Sequence, residues 1–473
     1  MAIINARSPY YVSITNTYIA YATLDIKIFN GDISDQATTN YSLKKHIVGS
    51  ETKVSFEISE LIRDFLDLQF DGDYSASATS DSSVKWVDTY LKAFNSSGTQ
   101  VGSTINETNL AINGYGYFEE GSSFTMSNES LFASEGDIFL PKFGDSNIAI
   151  YTENNPTVLL LDSAGATVEI STFTSSIQSD EQIKYVSLYP ELITNFSFDD
   201  NSDWSKQSND VIEDGLFYFG GQSGSRYPNT FIPVTGTNYI LNFTITEVSF
   251  GFLNGVFDGS GGINITGRID SVGDYSFQYT QTSTSSNLVS FFSASGFDGA
   301  MDNVSVKEVY DVSKITVSDY QGIANVNVKQ VQDCKFTPHK VTFVNKNGVL
   351  DDMYFFKKST NSMSTKRESY NANTLKSNNT YSINEHNKRD FNITANSSVN
   401  LSSGFLNESS NEKFKQLLLS EKVWITRTFK NNESVLPINI KTSSISYKTS
   451  LNDNLVEYSI EFIDSYNAIN NIR

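Results

Sequence analysis

Cysteine is almost absent from this chain: 473 residues contain one, Cys334. A single thiol excludes a disulfide framework within one chain, so stability must come from core burial or from neighbouring subunits. Cys334 lies in a strand-like run with Lys335 and Phe336, and is expected to be a buried, inert thiol. Histidine is scarce as well. His46, His339 and His386 sit on separate elements and show no metal-ligand spacing. The chain has no Gly-x-Ser-x-Gly elbow, no Gly-x-x-x-x-Gly-Lys-Ser/Thr loop and no His-Glu-x-x-His pair. Nothing singles out a pair among its 54 Asp and Glu for glycoside hydrolysis. The chain is therefore read as a non-enzyme. No apolar stretch approaches the roughly 20 residues of a membrane helix. The segment Met1 to Tyr11 has no apolar core followed by a cleavage site. These absences predict a protein made in a cytoplasm, without membrane insertion. No solenoid, β-helix or coiled-coil period runs through the chain, which weighs against a fibre shaft.

What is present is aromatic, β-branched and rich in Asn and Ser, with 33 Phe, 25 Tyr and only 8 Pro. Such a composition favours many short strands over helices. The charge is lopsided. The net value is −20, yet residues 330–473 hold 18 Lys and Arg against 14 Asp and Glu, a balance of +4. Residues 1–329 hold 16 against 40, a balance of −24. An acidic surface of that size argues against nucleic acid as a partner, because phosphate binding needs basic side chains.

Period-2 alternation marks strands along most of the chain. Residues 1–115 read as a β-sandwich with one helix. Ala22 to Phe29, Lys53 to Ile58 and Lys85 to Phe94 are its clearest strands. Ser59 is placed to cap the helix, and Leu61, Ile62, Phe65 and Leu66 form its apolar face. The stretch 72–84 reads as an exposed loop. Residues 116–189 form a second β-rich segment that stops near Leu188 and continues in 310–335. Residues 336–473 form a C-terminal β domain. In it, Asn347-Gly348 marks a tight turn, 359–380 a long polar hairpin or loop, and Asn411 to Ser420 a short helix with Phe414, Leu417 and Leu418 on one face. The fold class is mainly β: β-sandwich domains with an inserted sandwich and two short helices.

The insert is the block 190–309. It opens on Glu191, Leu192, Ile193, Thr194, Asn195 and Phe196, with Trp204 soon after. It closes on Met301, Asp302, Asn303, Val304, Ser305, Val306, Lys307 and Glu308. These ends resemble those of the jelly-roll carbohydrate-binding modules of the xylan/glucan-binding type. Ser197 departs from the pattern, standing where that family often has Gly or Asp before Phe198. The resemblance implies a two-sheet sandwich whose ends lie close together and can be inserted at a loop tip. It also implies a face that stacks aromatic rings on sugar C–H surfaces beside a few hydrogen-bonding side chains. The best candidates for that face are Arg226 and Tyr227 after a Gly- and Ser-rich stretch, with Gln222, Asn229 and Trp204. Asp199, Asp200, Asp203 and Asp302 are candidate oxygen ligands for a structural Ca²⁺, which modules of this family often hold.

The flanks resemble phage tail or baseplate proteins. The likeness is carried by Leu417 to Trp424, Leu436 to Ile440 and Leu455 to Phe462, and the insertion of a carbohydrate module in a β-sandwich is similar to enlarged distal tail proteins of long-tailed phages. This implies a virion protein, assembled in the host cytoplasm. Its expected partners are further copies of itself in a ring, other virion proteins and host-surface polysaccharide.

Overall fold

The computed structural model describes residues 2–34, 38–74, 83–125, 130–142, 144–174, 182–189, 191–193, 198, 202–258, 263–282, 289–331, 335–429, 432–444, 446 and 455–469. Cys334, Asp199, Asp200 and most of the stretch 72–84 lie outside the described residues. Strands account for 52% and helices for 5%, which makes the chain mainly β. Among the described residues, no helix is long and apolar enough to cross a membrane.

The N-terminal domain is built on strand Tyr21–Phe29, whose alternation buries Ala22, Leu24, Ile26 and Ile28 on one face. It lies in a five-stranded sheet with the order Ile3–Asn5, Ile105–Ile112, Val84–Phe94, Tyr21–Phe29, Tyr41–His46. A ribbon of Tyr11–Thr15 with Lys53–Glu57 closes over it, adding Val12, Ile14, Val54 and Phe56 to the core. Helix α1, Ser59–Arg63, is shorter than its apolar face implied, and its N-cap is Ile58 rather than Ser59. The reason is Glu57, whose carboxylate accepts the Ser59 N–H at 2.9 Å and the Ser59 hydroxyl, so the glutamate fills the capping role. Phe65 and Leu66 continue as turns, each donating an N–H three residues back at 3.0 Å.

The middle sheet interleaves strands from both sides of the insert. Its order is Thr167–Thr172, Thr157–Leu161, Lys314–Ser318, Ile323–Val331, Ile138–Pro141. Val158 stands opposite Val317, and Leu160 opposite Ile315. Ile183–Leu188 pairs with Ser146–Tyr151 in a separate two-stranded ribbon.

Seven strands make the C-terminal sheet, in the order Leu350–Phe355, His339–Val344, Val423–Phe429, Asn432–Ile440, Ser459–Asp464, Lys388–Ser402, Thr360–Asn371. The Asn347-Gly348 turn joins its first two strands. Gly348 has φ +73°, and a Cβ there would lie 2.6 Å from the Gly114 nitrogen, so only glycine fits. Helix α2, Asn411–Leu419, buries Phe414 and Leu417 against this sheet. Middle and C-terminal sheets share one core. Leu160, Ile315, Phe343, Phe355, Phe414 and Phe462 belong to a single buried cluster. A second cluster, containing Trp86, Ile112, Phe132, Tyr151, Ile183 and Val349, joins the N-terminal domain to that body.

Candidate functional site

The insert is a closed two-layer sandwich. One sheet has four strands, in the order Trp204–Ser205, Gly224–Pro228, Ser290–Ser293, Gly255–Phe257. The other has five, in the order Val211–Glu213, Leu216–Gly220, Phe297–Glu308, Asn238–Gly251, Gly273–Thr280. Between them lies a core rich in aromatics, and every buried member of it falls between Ile193 and Val306. Burying one Phe of this kind contributes about 1.5–3 kcal/mol, so the module has a hydrophobic core of its own.

The structure separates the sugar-site candidates. Arg226 is in strand Gly224–Pro228, not in a loop, and it is fully buried. Its Nε and Nη2 donate to the Asp210 carboxylate at 2.8 and 3.1 Å, and Nη1 and Nη2 donate to the carbonyls of Gly224 and Gln222, both at 2.9 Å. Asp210 also accepts the N–H groups of Gln207 at 2.7 Å and Gly220 at 3.0 Å. The pair therefore pins the 207–210 turn to two strands, and its polar atoms are spent inside the module. Gln222 is occupied similarly, its side-chain oxygen accepting the Ser208 hydroxyl at 3.1 Å. Trp204 is a core residue, 5.1 Å from Phe198 and 5.7 Å from Phe217 between ring centres. Asn229 is exposed at the end of the sheet, with its N–H on the Asp203 carbonyl at 2.7 Å.

Tyr227 is different. Strand alternation sends Arg226 inward and Tyr227 to the outer face of the four-stranded sheet. In the neighbouring strand Phe291 is fully buried and Phe292 is half-exposed; in the next, Val256 is buried and Phe257 half-exposed. Tyr227, Phe292 and Phe257 thus share one outer face across three adjacent strands. Phe257 and Phe292 meet edge to face at 6.0 Å. Ser205 and Ser225 add hydroxyls from the same face, opposite Tyr227 and Phe292 in the ladder. The outer face of the five-stranded sheet carries Asn242, Thr244, Ser276 and Gln278, with Tyr218 and the exposed Phe250 two strands apart on it. The first face sets three aromatics on adjacent strands, an arrangement of the sort that packs on pyranose rings. Phe292 was missed in the sequence. The signal is the pair Phe291-Phe292: in a strand with one face covered, only one of two consecutive side chains enters the core.

Of the Ca²⁺ candidates, Asp199 and Asp200 lie outside the described residues. Asp302 is buried and accepts the Asn303 N–H at 2.7 Å; Asp203 sits at φ +62° beside Trp204. Among the described residues, no three His, Cys, Asp or Glu come together in a way that would hold a metal ion.

The module leaves and re-enters the scaffold through one clasp. The rings of Tyr189 and Tyr310 stack at 4.9 Å, 17° from parallel. The Tyr189 hydroxyl donates to the Tyr310 carbonyl at 3.0 Å and accepts from the Val312 N–H and from Gln330. Burial, only partly offset by the Val312 N–H, pushes the Tyr189 phenol up to about 12. Two residues on, Glu191 accepts the N–H groups of Val306 at 2.7 Å and Ile193 at 3.3 Å, tying both ends of the module together. Burial raises its carboxyl above the usual range.

Beside the clasp lies a cleft of about 1220 Å³, walled by Tyr74, Asn147, Glu191, Lys307, His339 and Arg427. On its floor Lys340 Nζ contacts Asp145 at 2.6 Å and Asp352 at 3.3 Å. Tyr74 and Thr342 donate to Asp352 at 2.5 and 2.8 Å, and Tyr354 donates to the Asp145 carbonyl at 2.7 Å. Burial opposes ionisation of Asp145, but the charges of Lys340 and Lys307 and the bonds from Lys340 and Tyr354 outweigh it and hold the carboxyl far below its ordinary value. Each charge in this cluster has a partner of opposite sign. Its chemistry is that of a seam between the N-terminal segment, the middle sheet and the C-terminal sheet. No protein-family model and no curated protein sequence matches this chain.

Proposed function

We propose that this protein is a structural component of a bacteriophage virion, a subunit of a tail-tip or baseplate ring, whose inserted module faces outward and binds host-surface polysaccharide. The observation that carries the adhesive part is the outer face of the four-stranded sheet, with Tyr227, Phe292 and Phe257 on adjacent strands. The module has its own core and hangs from the scaffold by the Tyr189–Tyr310 clasp, so it can present that face without engaging the shared scaffold core. The virion part draws on the likeness of the flanks to tail proteins. Weak binding by one module would be raised by the multiplicity of a ring, since linked sites gain avidity without new contacts.

The test is retention of the full-length protein on immobilised host-type polysaccharides. Wild type is expected to bind at least one, and Tyr227→Ala with Phe292→Ala is expected to weaken binding at least tenfold while leaving the module folded. Full retention by that double variant, or no retention of wild type on any polysaccharide, would sink the adhesive reading. A purely structural virion role would then be the reading left, and release of reducing ends would point instead to an enzyme.

A further inference from the structure

The hairpin formed by Thr360–Asn371 and Lys388–Ser402 runs out from the end of the seven-stranded sheet. All 12 residues of Thr360–Asn371 are exposed, as are 388–393 on the returning strand. Twelve residues of strand span about 40 Å. Among the described residues, the returning strand pairs with the sheet at its base, through Ser398 to Ser402 against Ser459–Asp464, with one further bond from the Ala468 N–H to the Ala395 carbonyl at 2.8 Å. Beyond that, the arm's ladder is with itself. An isolated two-stranded hairpin is at best marginally stable in water, and this one also exposes Met363, Tyr370, Ile383 and Phe391. Its first strand is the sheet's edge among the described residues, a row of open N–H and C=O groups.

Charge identifies what covers it. Residues 357–393 carry seven Lys and Arg against three Asp and Glu, a balance of +4. The rest of the C-terminal third, residues 330–356 and 394–473, is balanced at 11 against 11. The entire basic excess of the C-terminal third therefore sits on the arm, while the chain outside the arm holds 27 against 51, a balance of −24. Among the described residues, Lys366, Lys376 and Lys388 have no carboxylate within ion-pair distance, and Arg367 meets only Asp390 of the same hairpin at 3.2 Å.

We infer that this arm docks on the acidic surface of a second copy of the chain. Two arms do not pair edge to edge, because that would set like charges side by side. Arm on acidic face is a heterologous contact, which propagates from copy to copy and closes into a ring where the rotation allows. Nucleic acid is the poorer occupant, since phosphates reaching the arm would face the −24 of the remaining chain. The contact supplies the joint for the ring in the proposed function and rests on that reading only for the ring's place in a virion.

The experiment is mass photometry and sedimentation of the full-length protein from low to high salt. It compares wild type, the variant K366E/R367E/K388E/R389E, and a variant with residues 369–389 replaced by an Asn-Gly turn. Wild type is expected to form oligomers that dissociate as salt rises, and both arm variants are expected to be monomers under all conditions. Polysaccharide retention per module is expected to be the same in all three, which separates failure of the arm from failure of the adhesive reading. Oligomers of unchanged size in either arm variant would overturn the inference. So would a wild-type monomer at low salt, or a monomer whose arm instead captures duplex DNA.

Discussion

Arg226 shows how a residue type with two natural homes is assigned by its partner. A loop arginine beside a tyrosine is a plausible sugar ligand; a buried arginine on Asp210 is a structural ion pair. Removing one member strands the other charge in the core. Arg226→Met is thus expected to destabilise the module by about 3–5 kcal/mol. Adding Asp210→Leu should recover only part of this, because the Gln207 and Gly220 N–H groups then lose their acceptor, at about 1–3 kcal/mol each. Denaturant unfolding of the two variants checks both statements. Acid should expose a second residue-scale effect. Asp145 and Asp351 are both held below the ordinary value of 3.8 in the folded state, burial being outweighed at Asp351 by Lys413 at 2.7 Å. A depressed folded value means stability that is complete above the unfolded carboxyl value near 3.9 and is lost as pH falls through the folded ones. Glu191 has the opposite sign. Its raised carboxyl contributes stability below about 4.3 that is lost as pH rises through the folded value. At pH 7 Glu191→Gln is accordingly expected to hold or raise the melting temperature, and at pH 4 to lose that advantage. A drop of several degrees at pH 7 would contradict it.

At the scale of elements, the module depends on chain segments approaching at backbone distance. Gly251, Gly296 and Gly221 stack in sequence. A Cβ on Gly251 would lie 2.2 Å from the Gly296 carbonyl oxygen, and one on Gly296 would lie 2.3 Å from that of Gly221. Gly296 also has φ +87°, where a side chain is strained regardless of space. Gly296→Ala is therefore expected to destabilise the module by at least about 2 kcal/mol, whereas Gly236→Ala, with the same sign of φ but open space, should show only the backbone strain. Circular dichroism melts of the two variants give the comparison. In sequence the Gly- and Ser-rich run before Arg226 reads as a loop, and alternation tells Tyr227 from Arg226 only once the strand is known. It does not tell that Tyr227, Phe292 and Phe257 fall on adjacent strands. That needs the order of strands Gly224–Pro228, Ser290–Ser293 and Gly255–Phe257, which lie up to 69 residues apart in the chain.

Taken whole, the molecule has separate cores joined by narrow seams. Among the described residues, the module's core contains no buried residue from the scaffold, whereas the middle and C-terminal sheets pool theirs. Elements sharing a core unfold together, and elements with their own core can unfold alone. Two transitions are expected in denaturant, one for the module and one for the pooled sheets. Arg226→Met should move only the first, and Phe343→Ala, in the pooled core, should move the second by about 3–5 kcal/mol. A single transition shifted equally by both substitutions would show the seams to be stronger than the cores.

Composition and alternation alone determined the mainly β class, many of the strands and the uneven charge, because each is a local property written in consecutive residues. Cysteine scarcity likewise settled in advance that no disulfide could hold one chain together. Tertiary structure decided the rest. Whether Arg226 faces water or Asp210 depends on a turn 16 residues away, and whether Phe292 is core or surface depends on which sheet covers its neighbour. The basic excess was visible as a number, but its confinement to an exposed arm became meaningful only with the sheet that leaves that arm unpaired. Burial and pairing are non-local: they are set by which distant segments meet, and a period of two residues carries no information about that.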